Sequence, residues 1–421
     1  MGLSKKIIKS TLEVTNEILN FKKPSDLLLS NYFKKNRSLI SLERKIVADA
    51  VYDLLRNFCI YKNYSFTAPF EKNRSIVLLA LFNTCKDKDL GRLLPEEIIW
   101  IDYISSQKNF FLPDYLKNNF PLWLINKFSD QFGYQETKYL INSLNSKASL
   151  DLRVNLSKIS RKKVKFFFSK LGINSFLTPF SKEGLRLTKK ISLKNLSIFK
   201  KGMIEVQDEG SQLLSQVLDV KRGDIFVDYC AGAGGKTLAI GEHMRNSGRI
   251  YAFDISKKRL SNINERLTRS GLTNVFIKHI GNEKDTTLER LNGKVDKVLV
   301  DAPCSATGTI RRNPDLKWRL SPELISYYQQ EQIKILCSAS ILVKNGGYLI
   351  YSTCSLLDQE NERVVEIFLE KNPEFKIEDI SGVLLKKKIQ LNMGKFLLLK
   401  PHIHQTDGFF AAKFVKNNKN K

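Results

Sequence analysis

The chain has 421 residues, with 69 Lys or Arg against 43 Asp or Glu and a formal net charge of +26. That length sets a prior of about two to four domains, and 42% hydrophobic residues are enough for a core in each. No run reaches the ~18 apolar residues of a transmembrane helix. The start, MGLSKKIIKSTLEV, lacks the apolar h-region of a secretory signal and the Ser or Thr at position six of a myristoylation signal, so a soluble, cytoplasmic protein is expected.

Residues 1–125 read as a compact all-helical domain. KSTLEVTNEILN, PSDLLLSNYFKKN, SLERKIVADAVYDLLRNFCIY and NRSIVLLALFNTC carry apolar residues at three- and four-residue steps, the period of a one-sided helix. Glycine occurs there only at Gly2 and Gly91. A linking helix is expected over about 121–145, followed to residue 205 by a small, basic α+β module. In that module ASLDLRVNL, LRLTK and MIEVQ are strand-like, and SRKKVKFFFSKLG is a helix stopped at Gly172. Residues 151–201 hold 14 Lys or Arg against two acids, Asp151 and Glu183, a net of +12. The other 370 residues share the remaining +14, a concentration that compositional drift does not produce and that points to nucleic acid. Phe166, Phe167 and Phe168 offer rings for base stacking, although the helical setting assigns at least two of them to a core.

From about 206 to 416 strand and helix alternate. DIFVDYC, RIYAFD, NVFIKHI, DKVLVDAP and GGYLIYSTCS read as strands, with helices between them. SKKRLSNINERLTRSG has a Ser N-cap and a Gly stop. FLLLKPH and GFFAAKFV suggest a closing hairpin, and residues 417–421 a disordered tail. The alternation implies a doubly wound, mostly parallel, Rossmann-like sheet, and the whole chain is therefore a multidomain α, α+β and α/β protein.

Six cysteines lie at 59, 85, 230, 304, 337 and 354. Their spacing fits neither a disulfide framework nor a zinc site, so thiols and no metal are expected. Cys59, Cys85 and Cys337 read as buried packing residues.

The turn VDYCAGAGGKT lies between a strand and a helix, and Gly232, Gly234 and Gly235 allow close backbone approach to a ligand. Asp254 ends the next strand, where an acid suits a ribose hydroxyl. A P-loop is disfavoured because Cys230 replaces its first Gly, and a dinucleotide fingerprint because Thr237 replaces its third. S-adenosylmethionine needs only a tight Gly turn after an acidic strand end, which Asp228 supplies; a purely structural Gly turn stays open.

In such a sheet the first, fourth and fifth strands are commonly neighbours, about 4.8 Å apart, and ligands bind beyond their carboxyl ends. Cys304 and Cys354 both lie just past those ends, so they should face one pocket beside the cofactor's methyl group. Two thiols, the carboxylate of Asp301 and a methyl donor suit methylation at carbon 5 of a pyrimidine. A thiolate added at carbon 6 makes carbon 5 nucleophilic, and Asp301 can hydrogen-bond ring N3 and the exocyclic amine.

DAPCSATGTIRRNPDLKW and YSTCS resemble the paired motifs of the RNA cytosine-5 methyltransferase family, the Nop2/Sun (Fmu) group. DYCAGAGGKT is similar to its cofactor motif, VQDEGSQL to its opening motif and DGFFAAKF to its closing strand. The resemblance covers about 200–415; with the helical N-terminal region it extends to bacterial 16S rRNA methyltransferases of the Sun type, whose N-terminal region is NusB-like. In 1–125 the likeness rests mainly on SLERKIVADAVYDLLRN. By this resemblance Cys354 is the nucleophile, Cys304 assists release and Asp301 contacts the base. Cys230, Ala231, Gly232, Ala233, Gly234, Gly235, Lys236, Asp254, Asn282 and Asp301 hold S-adenosylmethionine. Arg311, Arg312, Arg161, Lys162 and Lys163 are expected on RNA, and basic neighbours such as Arg311, Arg312 or Lys236 are expected to favour the Cys354 thiolate. The basic module is expected to be RRM-like and the chain monomeric. Two departures stand out. The family often has Ala-Pro at Gly232-Ala233, and usually an acid where Gly281 precedes Asn282, which leaves the adenine amine to Asn282 or Glu283.

Two other readings compete. DNA cytosine-5 methyltransferases use a Pro-Cys nucleophile and need no Thr-Cys partner, so Cys354 and the Arg311-Arg312-Asn313-Pro314 loop argue against that class. A catalytically inactive RNA-binding assembly factor would have no reason to keep Asp301, Cys304, Cys354 and the Gly turn together.

Overall fold

The computed structural model describes residues 4–85, 93–106, 113–282 and 285–417; of the tail expected over 417–421, Asn417 donates its N–H to the Glu374 carbonyl at 2.8 Å, and 418–421 lie outside the described residues. Contacts divide the chain into two compact units, Met1–Lys147 with Ile310–Ser321, and Ala148–Thr309 with Pro322–Lys421. Among the described residues no helix is long and apolar enough to cross a membrane.

The first unit is helical. Lys5–Ile18, Ser25–Lys35, Ser41–Arg56, Phe58–Ser65, Lys72–Thr84 and Pro95–Ser106 enclose one core. Residues Ile76 to Leu81 of the fifth of these helices are all buried, because it is apolar on every side and lies among the others. The helix expected over 41–61 is interrupted at Asn57, whose side-chain amide donates to the Asp53 carbonyl at 3.1 Å. The linking helix is likewise two, Leu122–Phe132 and Tyr134–Asn145, separated by Gly133 at φ +79°, ψ 160°. Hydrophobic periodicity runs through both breaks and so does not reveal them. Residues 310–321 pack in this unit: the Ser25 hydroxyl donates to Asp315 (2.8 Å), the Trp318 indole to the Leu55 carbonyl (3.0 Å) and Lys317 Nζ to Asn145 (2.7 Å). Lys317 is fully buried, and burial pushes its ammonium well below the usual lysine range.

The second unit holds two sheets. The smaller has the chain order strand, helix, two strands, short helix, strand: β1 (Leu150–Val154), helix Arg161–Lys170, β2 (Ser175–Leu177), β3 (Gly184–Leu187), helix Ser197–Lys200 and β4 (Ile204–Val206). Its antiparallel strands lie in the order β2-β3-β1-β4, the arrangement shared by ferredoxin-like and RRM-like modules. One face packs Leu152, Val154, Leu185 and Ile204 against Val164 and Phe168 of the helix. Period-two alternation sends Asp151, Arg153, Arg186 and Glu205 to the other face. There they are taken up by ion pairs: Arg186 with Asp151 (2.7 Å), Arg153 with Glu242 (3.0 Å), and Arg266 and Arg269 with Glu205.

The larger sheet is built from β5 (Ile225–Asp228), β6 (Arg249–Asp254), β7 (Val275–His279), β8 (Val295–Asp301), β9 (Val343–Thr353), β10 (Phe375–Glu378), β11 (Leu397–Leu399) and β12 (Phe409–Lys416). Its order is β10-β12-β9-β8-β5-β6-β7, with β11 pairing β12. Strands β5 to β9 are parallel, as the alternation implies, and β11 with β12 forms the expected closing hairpin. The sequence did not reveal β10, a four-residue FKIE, nor that β12 enters antiparallel between β9 and β10. Helix Lys257–Ser270 has the expected ends, with the Ser256 side chain accepting from Arg259 N and Gly271 at φ +79°.

Breaking the buried Arg153–Glu242 pair strands a charge. Arg153→Ala is expected to lower stability by about 3–5 kcal/mol, and Arg153→Met combined with Glu242→Leu by markedly less, read from urea unfolding curves.

Candidate active site

Strands β8 and β9 run side by side, with Asp301 in register with Ser352. Cys304 and Cys354 therefore leave the sheet at the same level, and their Sγ atoms lie 3.4 Å apart as free, half-buried thiols. The turn after Cys304 is tight. Ala306 adopts φ +56°, a left-handed conformation that costs a residue with a Cβ about 1–2 kcal/mol. Gly308 donates its N–H to the Cys354 carbonyl at 2.9 Å, and a Cβ on Gly308 would lie 2.4 Å from the Gly408 carbonyl oxygen. The SATG run is thus a backbone-to-backbone packing requirement. Cys59, Cys85 and Cys337 are half-buried rather than buried.

Both thiols line a cleft of about 550 Å³ at the carboxyl ends of the parallel strands. Cys230, Asp254, Asn282 and Asp301 line it too, as the sequence suggested. It also takes residues that sequence reading missed: Ile255 and Arg259 after β6, Ile280 after β7, and Tyr328, Glu331 and Ile335 from helix Pro322–Ser340. The signal for Ile255 and Ile280 was available, since each follows a strand end. Nothing in the pattern of the long helix marks its cleft-facing side.

The Gly turn follows β5. Gly232 and Gly234 have φ +55° and +80°, and a Cβ on Gly232 would meet the Arg259 guanidinium at 2.5 Å. Gly232 N–H donates to Asp254 Oδ2 and Ser256 N–H to Asp254 Oδ1, both at 2.8 Å, so Asp254 ties the turn to the end of β6 while still facing the cleft. A smaller recess alongside is lined by Ala231, Ala233, Gly235, Lys236, Asp228 and Asp301, among others. Asp285 is not at the cleft; it accepts from Gly281 N–H (3.0 Å) and Thr287 N–H (2.9 Å), capping a short helix. Glu283, the alternative adenine contact, lies outside the described residues.

Charge is arranged in pairs. Lys236 Nζ lies 2.6 Å from Asp301 Oδ2, and the Ser352 hydroxyl donates to Asp301 Oδ1 at 3.0 Å. Burial disfavours the Lys236 ammonium, but Asp301 and then Cys354 outweigh it and hold its pKa above the ordinary value. Burial and the carboxylates of Asp228, Asp301 and Asp254 push the Cys230 thiol well up, which keeps it protonated. The hydrogen bond to Cys354, followed by burial, pushes the Cys304 thiol well up as well. Asp228 is buried, with Thr237 Oγ1 on one oxygen at 2.7 Å and no partner on the other; burial raises its pKa to about 7.

Three strand-end carboxylates, Asp228, Asp254 and Asp301, thus surround the Gly turn. They would repel a pyrophosphate. They suit a ribonucleoside carrying ammonium and sulfonium charge, with Ile255, Ile280 and Ile335 offering apolar wall, so the residues present fit S-adenosylmethionine.

The basic residues divide. Lys162 and Lys163 are exposed, whereas Arg161 is turned inward, donating to the Ser181 (3.0 Å) and Gly184 carbonyls. Phe168 is core and Phe167 packs against it, leaving Phe166 exposed with Lys170 Nζ 4.7 Å from its ring centre. Arg311 and Arg312 belong to the helical unit, where Arg311 is buried and its carbonyl accepts from Arg56 Nη2 at 3.0 Å. Among the described residues no group of His, Cys, Asp and Glu is arranged to hold a metal ion.

The sequence model of a family described as 16S rRNA methyltransferase RsmB/F matches residues 215–415, and that of an RsmF/B-like ferredoxin-like domain matches residues 120–194. The chain is 36% identical over 302 residues to the "Probable ribosomal RNA small subunit methyltransferase B" of Synechocystis sp., covering 71% of this chain and 67% of that one. It is 32% identical over 302 residues to the protein of the same name from Bacillus subtilis, covering 70% and 66%. The matched stretch spans about two thirds of each relative. Among solved structures, the crystal structure of PH0851 aligns over 99% of this chain and 100% of that one, with TM-score 0.79 and 28% identity.

The raised pKa of Asp228 has a signed consequence. The folded state keeps its proton up to about pH 7 while the unfolded chain, with the ordinary aspartate value of 3.8, has lost it. The unfolded state then binds fewer protons, so stability falls as pH rises from about 4 to 7 and levels off above that. Asp228→Asn should flatten this segment, seen as a smaller difference in urea midpoint between pH 5 and pH 8 than in the unsubstituted protein.

Proposed function

The chain belongs to the RsmB/F family of 16S rRNA methyltransferases, and from that membership we propose that it methylates carbon 5 of a cytosine in 16S rRNA, through a covalent adduct between Cys354 and carbon 6. One observation carries the mechanism: two sulfur atoms 3.4 Å apart, beside a carboxylate ion-paired to a lysine in the same strand-end region. A binding module needs no such pair.

Carbon 5 of cytosine is a poor nucleophile. The Cys354 thiolate adds to carbon 6, and the ring's electron pair moves onto carbon 5, splitting one hard step into two easier ones. Lys236, ion-paired to Asp301, keeps a positive charge near Cys354. Asp301, fixed by Lys236 and Ser352, is oriented to accept from the exocyclic amine, and from ring N3 once that nitrogen carries a proton. S-adenosylmethionine, when bound, supplies the electrophilic methyl group. Solvent water takes the carbon 5 proton, the electron pair returns to the ring, and Cys354 leaves as thiolate, which the protonated Cys304 thiol 3.4 Å away can stabilise by donating a hydrogen bond. Cys304, in contact with that sulfur, is assigned to this release.

RNA contact is assigned to the small module. Lys162, Lys163, Lys165, Lys170, Lys182, Lys189, Lys190, Lys194, Lys200 and Lys201 are exposed there, while Asp151 is buried and Glu183 is bonded to His243. The surface is therefore almost purely cationic, suited to a phosphate backbone. Because the target base must leave any stack, at a cost of a few kcal/mol, loosely structured RNA is the favoured substrate.

Cys354→Ala should abolish the covalent RNA adduct on a denaturing gel and Cys304→Ala should let it accumulate; identical behaviour would overturn the division of roles. Bisulfite sequencing of 16S rRNA from a deletion strain should show one lost mark, and an unchanged pattern would count against the substrate. Replacing Lys162, Lys163 and Lys165 by Glu should raise KM for RNA with kcat little changed. It should also reduce the slope of log affinity against log salt by about two, from ~0.7 per phosphate contact on single strands.

A further inference from the structure

The loops bearing the two cysteines share an anchor that takes no part in the chemistry above. Glu360, at the end of the short turn Asp358–Glu360, is completely buried. Its Oε1 accepts from the Ser305 N–H at 2.8 Å and from Gln332 Nε2 at 3.0 Å. Its Oε2 accepts from the Ser355 hydroxyl at 2.5 Å and from the Ser305 hydroxyl. Ser305 follows Cys304 in the chain and Ser355 follows Cys354, so one carboxylate bonds to the neighbour of each thiol. Gln332, from helix Pro322–Ser340, also donates to the Pro303 carbonyl at 3.0 Å, gripping the Cys304 loop from its other side.

Every donor on this carboxylate is neutral, and each of the residues is buried. A buried charge without a cation carries a heavy desolvation cost, and such a group is retained only where its hydrogen bonds satisfy it. A hydrocarbon side chain would fill the same space without that cost, but it would not fix the two serines to a common point. The Cys304 loop needs fixing, since Ala306 next to Ser305 holds a left-handed conformation, which persists where the surroundings over-determine it. The negative charge of Glu360 also adds to the effects that hold the Cys304 thiol protonated, after the hydrogen bond to Cys354, burial and the charge of Cys354.

We propose that Glu360 is a positioning residue for the thiol pair, its carboxylate setting the separation of Cys304 and Cys354 by bonding to the residue after each. The catalytic part of this proposal rests on the covalent mechanism above; the geometric part does not.

The test reads the pair directly. Diamide oxidises two adjacent thiols to a disulfide, taking up their two protons and two electrons to become the hydrazine. In the full chain without RNA, the Cys304–Cys354 disulfide, mapped by peptide mass spectrometry, should form about tenfold or more slowly in Glu360→Gln than in the unsubstituted protein. Loss of the Glu360 charge by itself favours the Cys304 thiolate and would speed oxidation, so that slowing reports lost geometry. Disulfide closure should be restored in part by Glu360→Asp, which keeps two acceptor oxygens. Ser305→Ala and Ser355→Ala, each removing one tether, should give intermediate rates and serve if Glu360→Gln folds poorly. With RNA and labelled S-adenosylmethionine, Glu360→Gln should lose up to about 100-fold in single-turnover methyl transfer, as expected when reacting groups are misplaced by about 1 Å, while cofactor affinity stays within about twofold. An unchanged disulfide rate in a folded Glu360→Gln protein would overturn the proposal. So would a loss of methyl transfer matched by an equal loss of folded protein. A slowed disulfide in Glu360→Gln, with no RNA adduct formed even by the unsubstituted protein, would uphold the positioning role and reject the covalent mechanism instead.

Discussion

The parallel pairing of β8 with β9 is the constraint from which the cleft follows. Two strands one ladder spacing apart, with Asp301 opposite Ser352, deliver their next residues to the same height. A slip of one residue would turn every side chain on β9 to the other face of the sheet, taking Ser352 from Asp301 and Cys354 from Cys304. The register is held by burial: Val298, Leu299 and Val300 of β8 and Leu349, Ile350 and Tyr351 of β9 are all buried, so neither strand can shift without exposing a core. Core packing and sulfur geometry are thus one requirement.

Electrostatics completes what register begins. Asp228, Asp254 and Asp301 crowd the strand ends, and the structure answers each differently. Asp254 accepts two backbone N–H groups, Asp301 takes Lys236 and a serine, and Asp228 has one threonine and an unfilled oxygen. Burial pushes Asp228 toward its neutral form. One residue type performs three tasks according to its surroundings: a brace for the turn, an oriented hydrogen-bonding group, and a buried acid beside the ligand space.

The small module shows a similar economy. In an isolated module of this topology the open face of the sheet is the usual place for RNA, with aromatic residues on the strands. Here that face carries Asp151, Arg153, Arg186 and Glu205, closed by ion pairs that reach the helices flanking the Gly turn. Arg153 and Arg266 also donate to the Gly235 and Ala233 carbonyls, bracing the turn itself. What remains toward solvent includes the lysine-rich helix, the loops and the edge strand β2, with Phe166 and Phe176 as exposed rings.

The sequence by itself determined the succession of helical, mixed and α/β regions, the Gly turn, and the placement of two cysteines beyond adjacent strands. Periodicity, capping residues and strand-end chemistry are local, and alternation of strand and helix leaves few sheet orders open. It did not disclose the breaks at Asn57 and Gly133, the antiparallel entry of β12, the membership of residues 310–321 in the helical unit, or the inward turn of Arg161. Nor did it single out Glu360, one more acid near a helix start. Apart from the two helix breaks, these depend on partners tens to hundreds of residues away, as in the bond from Ser25 to Asp315 or from Ser305 to Glu360. Such pairings exist only once the chain has closed on itself, because a hydrogen bond or a buried charge is decided by what lies within a few ångströms in space, and local pattern carries no record of that.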